Sequence, residues 1–266
     1  MLQVCADFRE EVDEFHGFLQ TLKPEDWRRE TGFMQWTTWD VVAHLHYFDL
    51  VSTSSLEGEE AFAPERVVLI AAVGEGRTLQ QLAHERLQSL DAASLLEHWH
   101  GTAHGLAQAL GEADPKRRMP WFGPDMGVQM FTTARYMETW AHAHEVYDLV
   151  GVSRRYTDRI KNIATIGVKT FDWTFVNRKM EVPDSPPHVR IVAPSGAIWE
   201  WNEPSETELI RGDAVDFCHV VTQGRNVADT ALEVVGPVAT QWMSIAQCFA
   251  GAVADPPAPG ARTGSR

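Results

Sequence analysis

Cysteine is scarce in this sequence, and so is net positive charge. The three cysteines, Cys5, Cys218 and Cys248, are odd in number and far apart, and no Cys-x-x-Cys occurs. A disulfide framework and a zinc ribbon are therefore excluded as organising principles. No run of about 18 apolar residues exists, so no segment is expected to span a membrane. Asp7, Glu10 and Glu11 stand in the first turns, which is the wrong chemistry for a secretory signal. The cytoplasm is the expected location. Lys and Arg total 23 against 37 Asp and Glu, giving a formal net charge of −14. Such a chain repels phosphate backbones and anionic lipid, so neither nucleic acid nor membrane is an expected partner. No long block of one sign appears, and a local basic pocket for an acidic small molecule stays open.

What is present suits a large core. The chain has 266 residues, 44% of them apolar and 10% aromatic, enough for one large domain or two ordinary ones. Ten Trp residues offer broad apolar walls for a pocket or an interface, including that of a homodimer.

Apolar spacing predicts a helix over residues 3–22, ended by Pro24. A second follows Thr37, where Thr37 and Asp40 form a capping pattern. A polar, Gly-containing stretch lies near 57–60. A helix is expected over about 78–110, another over 127–150 and a further one over 157–178. Between them, residues 119–127 form a loop around Trp121 and Phe122, of the kind that roofs pockets. Pro183, Pro186 and Pro187 mark a linker. Beyond it, 188–193 and 197–201 read as a hairpin and 206–210 as a third strand. Residues 213–222 suit a short helix, 232–235 a strand and 238–250 a closing helix. The Pro- and Gly-rich tail over 252–266 is expected to be disordered. The expected class is α+β: a helical bundle over 1–180 (four core helices plus an extra one), then a small α+β domain over 188–251.

One constellation carries chemistry. In Arg135-Tyr-Met-Glu138-Thr-Trp-Ala-His142 the Glu and the second His are four apart, one turn along a helix. At ~100° per residue, Phe131, Arg135, Glu138, His142, Val146 and Leu149 share a largely apolar face. A lone carboxylate there is costly unless it is paired or binds a metal. His44 lies on the inward side of the second helix with Val41, Leu45 and Phe48, and could complete a three-ligand site. Arg135 pairing with Glu138 is the competing reading. His100 and His104 are also four apart, but fall toward the solvated side of their helix. His16, His84, His144 and His219 read as packed or surface residues.

Trp36-Thr-Thr-Trp-Asp-Val-Val-Ala-His44-Leu, together with the motif ending at His142, resembles the DinB-like metal-binding bundles. Within these it is similar to the mycothiol-dependent maleylpyruvate isomerases and to a sister group of actinobacterial metal-binding proteins. The similarity extends over about residues 1–251 and includes Trp121-Phe-Gly-Pro124 and Ala246-Gln-Cys-Phe-Ala-Gly251. It implies one divalent ion on His44, Glu138 and His142, zinc first, with nickel, iron or manganese as alternatives. It also implies a sterol-carrier-like second domain in which Arg225, in Gln223-Gly-Arg225, assists catalysis. Glu145 stands where relatives often carry Asp.

The expected function is a metal-dependent isomerase or thiol transferase of specialised metabolism, with mycothiol as cosubstrate and a small electrophilic acid as substrate. Arg135, Trp121, Phe122 and Asp49 are expected to line the substrate site. The alternatives are a thiol-independent lyase, hydrolase or isomerase, and a non-catalytic metal- and ligand-binding protein. A fourth protein ligand such as Asp49 would favour the last.

Overall fold

The computed structural model describes residues 2–262 and divides the chain into two compact units, Met1–Val150 and Gly151–Arg266. The fold is α+β.

The first unit is a helical bundle. Its core consists of α1 (Gln3–Leu19), α2 (Thr38–Glu57), α5 (Ala92–Glu112) and α6 (Val128–Val150). Helices α3 (Glu59–Gly74) and α4 (Leu79–Leu87) pack on α2. Phe8, Phe15, Val41, Leu45, Trp99, Phe131 and Trp140 fill the centre, each essentially fully buried. Thr37 starts α2 with a full capping box: its hydroxyl accepts from the Asp40 N–H, and the Asp40 carboxylate accepts from the Thr37 N–H. That box fixes the first turn of the helix that carries His44. Helices α2 and α6 bury residues on nearly every side, which places them in the middle of the bundle.

The stretch near 57–60 proves to be a one-residue break. Gly58, with φ 126°, separates α2 from α3, a helix the apolar pattern did not predict. The element expected over 78–110 is two helices. Asp91 caps α5 by accepting from the Ser94 N–H at 2.8 Å, and Leu90 is tied by its carbonyl to Trp39 Nε1. The loop before α6 is pinned by a short hairpin, β1 (Arg118–Met119) with β2 (Met126–Gly127).

In the second unit the helix expected over 157–178 is a 3-10 turn (Asp158–Ile160), then α7 (Lys161–Lys169) and α8 (Phe171–Asn177). The break falls at Thr170, whose hydroxyl donates to the Ile166 and Gly167 carbonyls. These helices belong with the sheet rather than the bundle, so the compact units divide after Val150, upstream of the expected boundary near 181–188. The cause is packing. A Cβ on Gly167 would stand 2.8 Å from Val221 Cγ2, so α7 lies hard against α9 (Ala214–Val221). Phe171 meets Trp242 edge to face at 5.1 Å.

The sheet runs β4-β3-β5-β6. Strands β3 (His188–Val192) and β4 (Ile198–Trp201) form the expected antiparallel hairpin. Strand β5 (Leu209–Asp213) pairs parallel to β3, and β6 (Glu233–Val235) antiparallel to β5. The third strand begins three residues later than expected; Glu208, just before it, accepts from the His188 N–H through its carbonyl and caps α10 (Pro237–Ile245) through its carboxylate, which accepts from the Ala239 N–H at 2.8 Å.

Residues 252–262, in the tail expected to be disordered, make hydrogen bonds to the rest of the second unit. Gln223 Nε2 donates to the Ala254 carbonyl, Asn226 Nδ2 to the Pro257 carbonyl, and the Gly260 N–H reaches the Asp229 carboxylate. Residues 263–266 lie outside the described part.

Candidate metal centre

His44 comes from α2, and Glu138 and His142 from α6. The capping box and the shared inward face bring them together. Glu138 Oε2 lies 3.8 Å from His44 Nε2 and 3.5 Å from His142 Nε2, and all three donor atoms lie within 4.8 Å of one another. These separations are long for hydrogen bonds. They suit donors around a common centre, since ligands at ~2.1 Å in a tetrahedron stand ~3.4 Å apart.

Electrostatics agrees with that fit. Burial pushes the His44 imidazole down to about 4, against the opposing pull of Glu138, so the ring is neutral at pH 7. Burial raises the Glu138 carboxyl, but the two imidazoles outweigh it and hold the group well below the usual carboxylate range. Two imidazoles and one carboxylate form an N2O donor set that suits a divalent transition ion.

Aromatic rings hold the imidazoles. Trp36 stacks on His142 at 5.7 Å and 8°, and Phe33 meets the same ring edge to face at 5.2 Å. His44 sits between Trp36, at 5.0 Å, and Phe48, at 4.8 Å. His44 Nδ1 is buried and has no hydrogen-bond partner among the described residues, so ring packing sets its orientation. Trp36 is delivered by a tight turn in which Met34 and Gln35 both have positive φ, 48° and 58°. The Glu138 side chain is 26% exposed, so the site is open on that side.

The other expected site residues divide. Trp121 and Phe122 belong to an aromatic cluster with Phe62 and Phe48, and Phe48 connects it to His44. Arg135 and Asp49 pair with each other. Arg135 Nε donates to Asp49 Oδ1 at 3.0 Å, and Trp99 Nε1 donates to Asp49 Oδ2 at 3.2 Å. Both side chains are buried, at 3% and 0% residue exposure, and engaged with each other rather than open to a substrate. Asp49 is accordingly not a fourth member of the triad cluster. His46 faces His98, at a ring distance of 6.3 Å, away from the triad. Arg225 lies in the second unit, in the turn after α9, where its Nη1 donates to the Gly224 carbonyl.

Trp36 and Phe33 were not read from the sequence as site residues. The dense Trp36-Thr-Thr-Trp motif was the available signal.

Residues 8–147 match the family described as "Mycothiol maleylpyruvate isomerase N-terminal domain". The chain belongs to that family. The matched span contains all three members of the triad. Two relatives from Mycobacterium tuberculosis, from strains CDC 1551 / Oshkosh and ATCC 25618 / H37Rv, are each 35% identical over 246 residues. The match spans 92% of this chain and 95% of theirs, and both are described as uncharacterized proteins. Among solved structures, the fold is similar to that of the mycothiol-dependent maleylpyruvate isomerase and of a mutant of it. The TM-score is 0.53 at 12% identity, covering 82% of this chain and 87% of that one. At that identity the likeness concerns the fold alone.

Proposed function

We propose that this family member is a metal-dependent enzyme that pairs a low-molecular-weight thiol, mycothiol, with a small electrophilic organic acid, and isomerises the acid or transfers the thiol to it. The observation that carries this reading is the convergence of two imidazoles and one carboxylate within 4.8 Å, walled by aromatic rings and open at Glu138.

A divalent ion on His44, Glu138 and His142, zinc first and nickel, iron or manganese as alternatives, would supply the positive charge that keeps a thiol ionised at neutral pH. His44, neutral through burial, offers a lone pair without first losing a proton. Glu138 supplies the negative charge. Trp36, Phe33 and Phe48 exclude water from the imidazole faces. Trp121 and Phe122 wall the approach beyond Phe48.

The thiolate sulfur adds to a carbon conjugated with a carbonyl, and the alkene electron pair moves onto that carbonyl. Rotation about the resulting single bond, followed by cleavage of the C–S bond, returns the pair and releases the geometric isomer and the thiolate. In transfer, the C–S bond is kept and a proton completes the adduct. The partners are small molecules in the cytoplasm, with neither nucleic acid nor membrane among them.

The test is metal content by mass spectrometry on protein purified without chelator, beside His142→Ala, followed by cobalt substitution. The expected result is about one tightly held ion per chain, lost in the variant, and a cobalt absorption spectrum that changes on adding mycothiol. Equal metal content in the two proteins would sink the reading. A cobalt spectrum indifferent to thiols would leave a thiol-independent enzyme or a binding protein.

A further inference from the structure

Helices α1 and α5 pack side by side in the first unit. Along their outer seam stand Asp13 and His16 from α1, and Glu97, His100 and His104 from α5. The spacings, three on α1 and three then four on α5, put each set on one helix face. The side chains meet across the seam. His100 Nε2 and His104 Nε2 both end on Asp13 Oδ1, at 2.9 and 2.6 Å. His16 stacks on His100 at 4.0 Å and 25°, His100 lies 4.3 Å from His104, and His16 Nε2 is 3.2 Å from Glu97 Oε1. None of these residues belongs to the triad on α2 and α6.

The donor atoms of Asp13, His100 and His104 all lie within 4.8 Å of one another. Neutral rings are metal ligands, and a carboxylate already sits at their convergence. Nothing stands within 4 Å of where a Cβ would project at Gly101 or Gly105, so the α5 surface beside the two imidazoles is uncrowded.

We propose that Asp13, His100 and His104 form a second divalent-metal site, flanked by His16 and Glu97. It would take a borderline transition ion, Zn2+, Ni2+ or Cu2+, in preference to Mg2+ or Ca2+, because two of its three donors are imidazole nitrogens. Neighbouring donors around a six-coordinate ion with ~2.1 Å bonds stand ~3.0 Å apart, and the observed separations reach this by opening a few tenths of an ångström. The remaining positions face solvent. The site is weaker than the triad, since its side chains are partly exposed and must be ordered by the ion. Its effect is mechanical: an ion shared between Asp13 and residues 87 and 91 positions further on staples α1 to α5.

The experiment uses the full chain, stripped with chelator and then titrated with zinc, in five forms: wild type, His142→Ala, His100→Ala/His104→Ala, Asp13→Asn, and His142→Ala combined with Asp13→Asn. Bound ion is counted by mass spectrometry after equilibrium dialysis, and the thermal midpoint is read with and without zinc. The expected result is that the double variant binds one ion fewer per chain than wild type. His142→Ala should still bind an ion and gain thermal stability from zinc, and Asp13→Asn should bind at this site at least tenfold more weakly. A double variant that folds, as judged by circular dichroism, and binds as many ions as wild type overturns the proposal. So does a His142→Ala protein that binds zinc no better than His142→Ala combined with Asp13→Asn, a pair that leaves α5 untouched. Because the triad is intact in His100→Ala/His104→Ala and in Asp13→Asn, failure there and failure here are read from different proteins.

Discussion

Arg135 Nη2 lies 2.9 Å from Asp49 Oδ1, and this buried ion pair joins the two helices that carry the triad. Asp49 follows His44 by five residues on α2, and Arg135 precedes Glu138 by three on α6. The pair is thus a brace about one turn from the candidate metal ligands. Full burial raises the Asp49 carboxyl, and the guanidinium and the Trp99 N–H pull it back.

Removing either partner strands a buried charge. Asp49→Ala or Arg135→Ala should cost about 3–5 kcal/mol in urea unfolding, and the double variant less than the sum of the two. An Arg135→Ala protein of unchanged stability but raised KM would return Arg135 to the substrate site.

Trp36 is the second support. It stacks on His142 and flanks His44 while only 5% exposed. Trp36→Ala should destabilise the chain by about 3 kcal/mol or more and weaken zinc binding at the triad. Trp36→Phe should recover part of both. The checks are calorimetric unfolding and competition with a zinc indicator. Unchanged zinc affinity in Trp36→Ala would show that the imidazoles hold their positions unaided.

A third prediction concerns acid. Burial, with Arg225 and Arg154 nearby, pushes the His219 imidazole down to about 3. The unfolded chain protonates the same ring near its ordinary 6.5. Below pH 6.5 the unfolded state therefore binds more protons, so stability falls as pH drops toward 3. The slope reaches up to ~1.4 kcal/mol per pH unit, and above 6.5 this contribution is flat. His219→Gln should flatten the loss of thermal midpoint between pH 6 and 4.5. An equally steep loss in the variant would assign the slope to other groups.

The triad was legible because its members obey local rules: an i, i+4 pair on an inward face, and a histidine about two turns into a capped helix. The hairpin was legible from two apolar runs around Pro194-Ser-Gly196. The cluster on Asp13 was not legible, since its members lie 87 and 91 residues apart and only tertiary packing reveals their register. The pairing of Arg135 with Asp49 was not legible for the same reason. Each looks functional alone, and only the packing of α2 on α6 shows that they satisfy one another. The tail's hydrogen bonds were not legible, because its composition carries the signature of disorder and their partners are side chains far upstream.

That last feature bears on how the chain is made. The amides of Gln223, Asn226 and Gln247 each hydrogen-bond backbone between 249 and 257, and Asp229 bonds Gly260, while Gln223 also donates to the Ala246 carbonyl. Gln223 and Gln247 are buried, so without that segment they would face the core with hydrogen bonds unmade. On the ribosome, the second unit therefore cannot reach its final packing when its last helix emerges. It must wait for the residues after α10, whereas the first unit has every one of its helices as soon as Val150 is free.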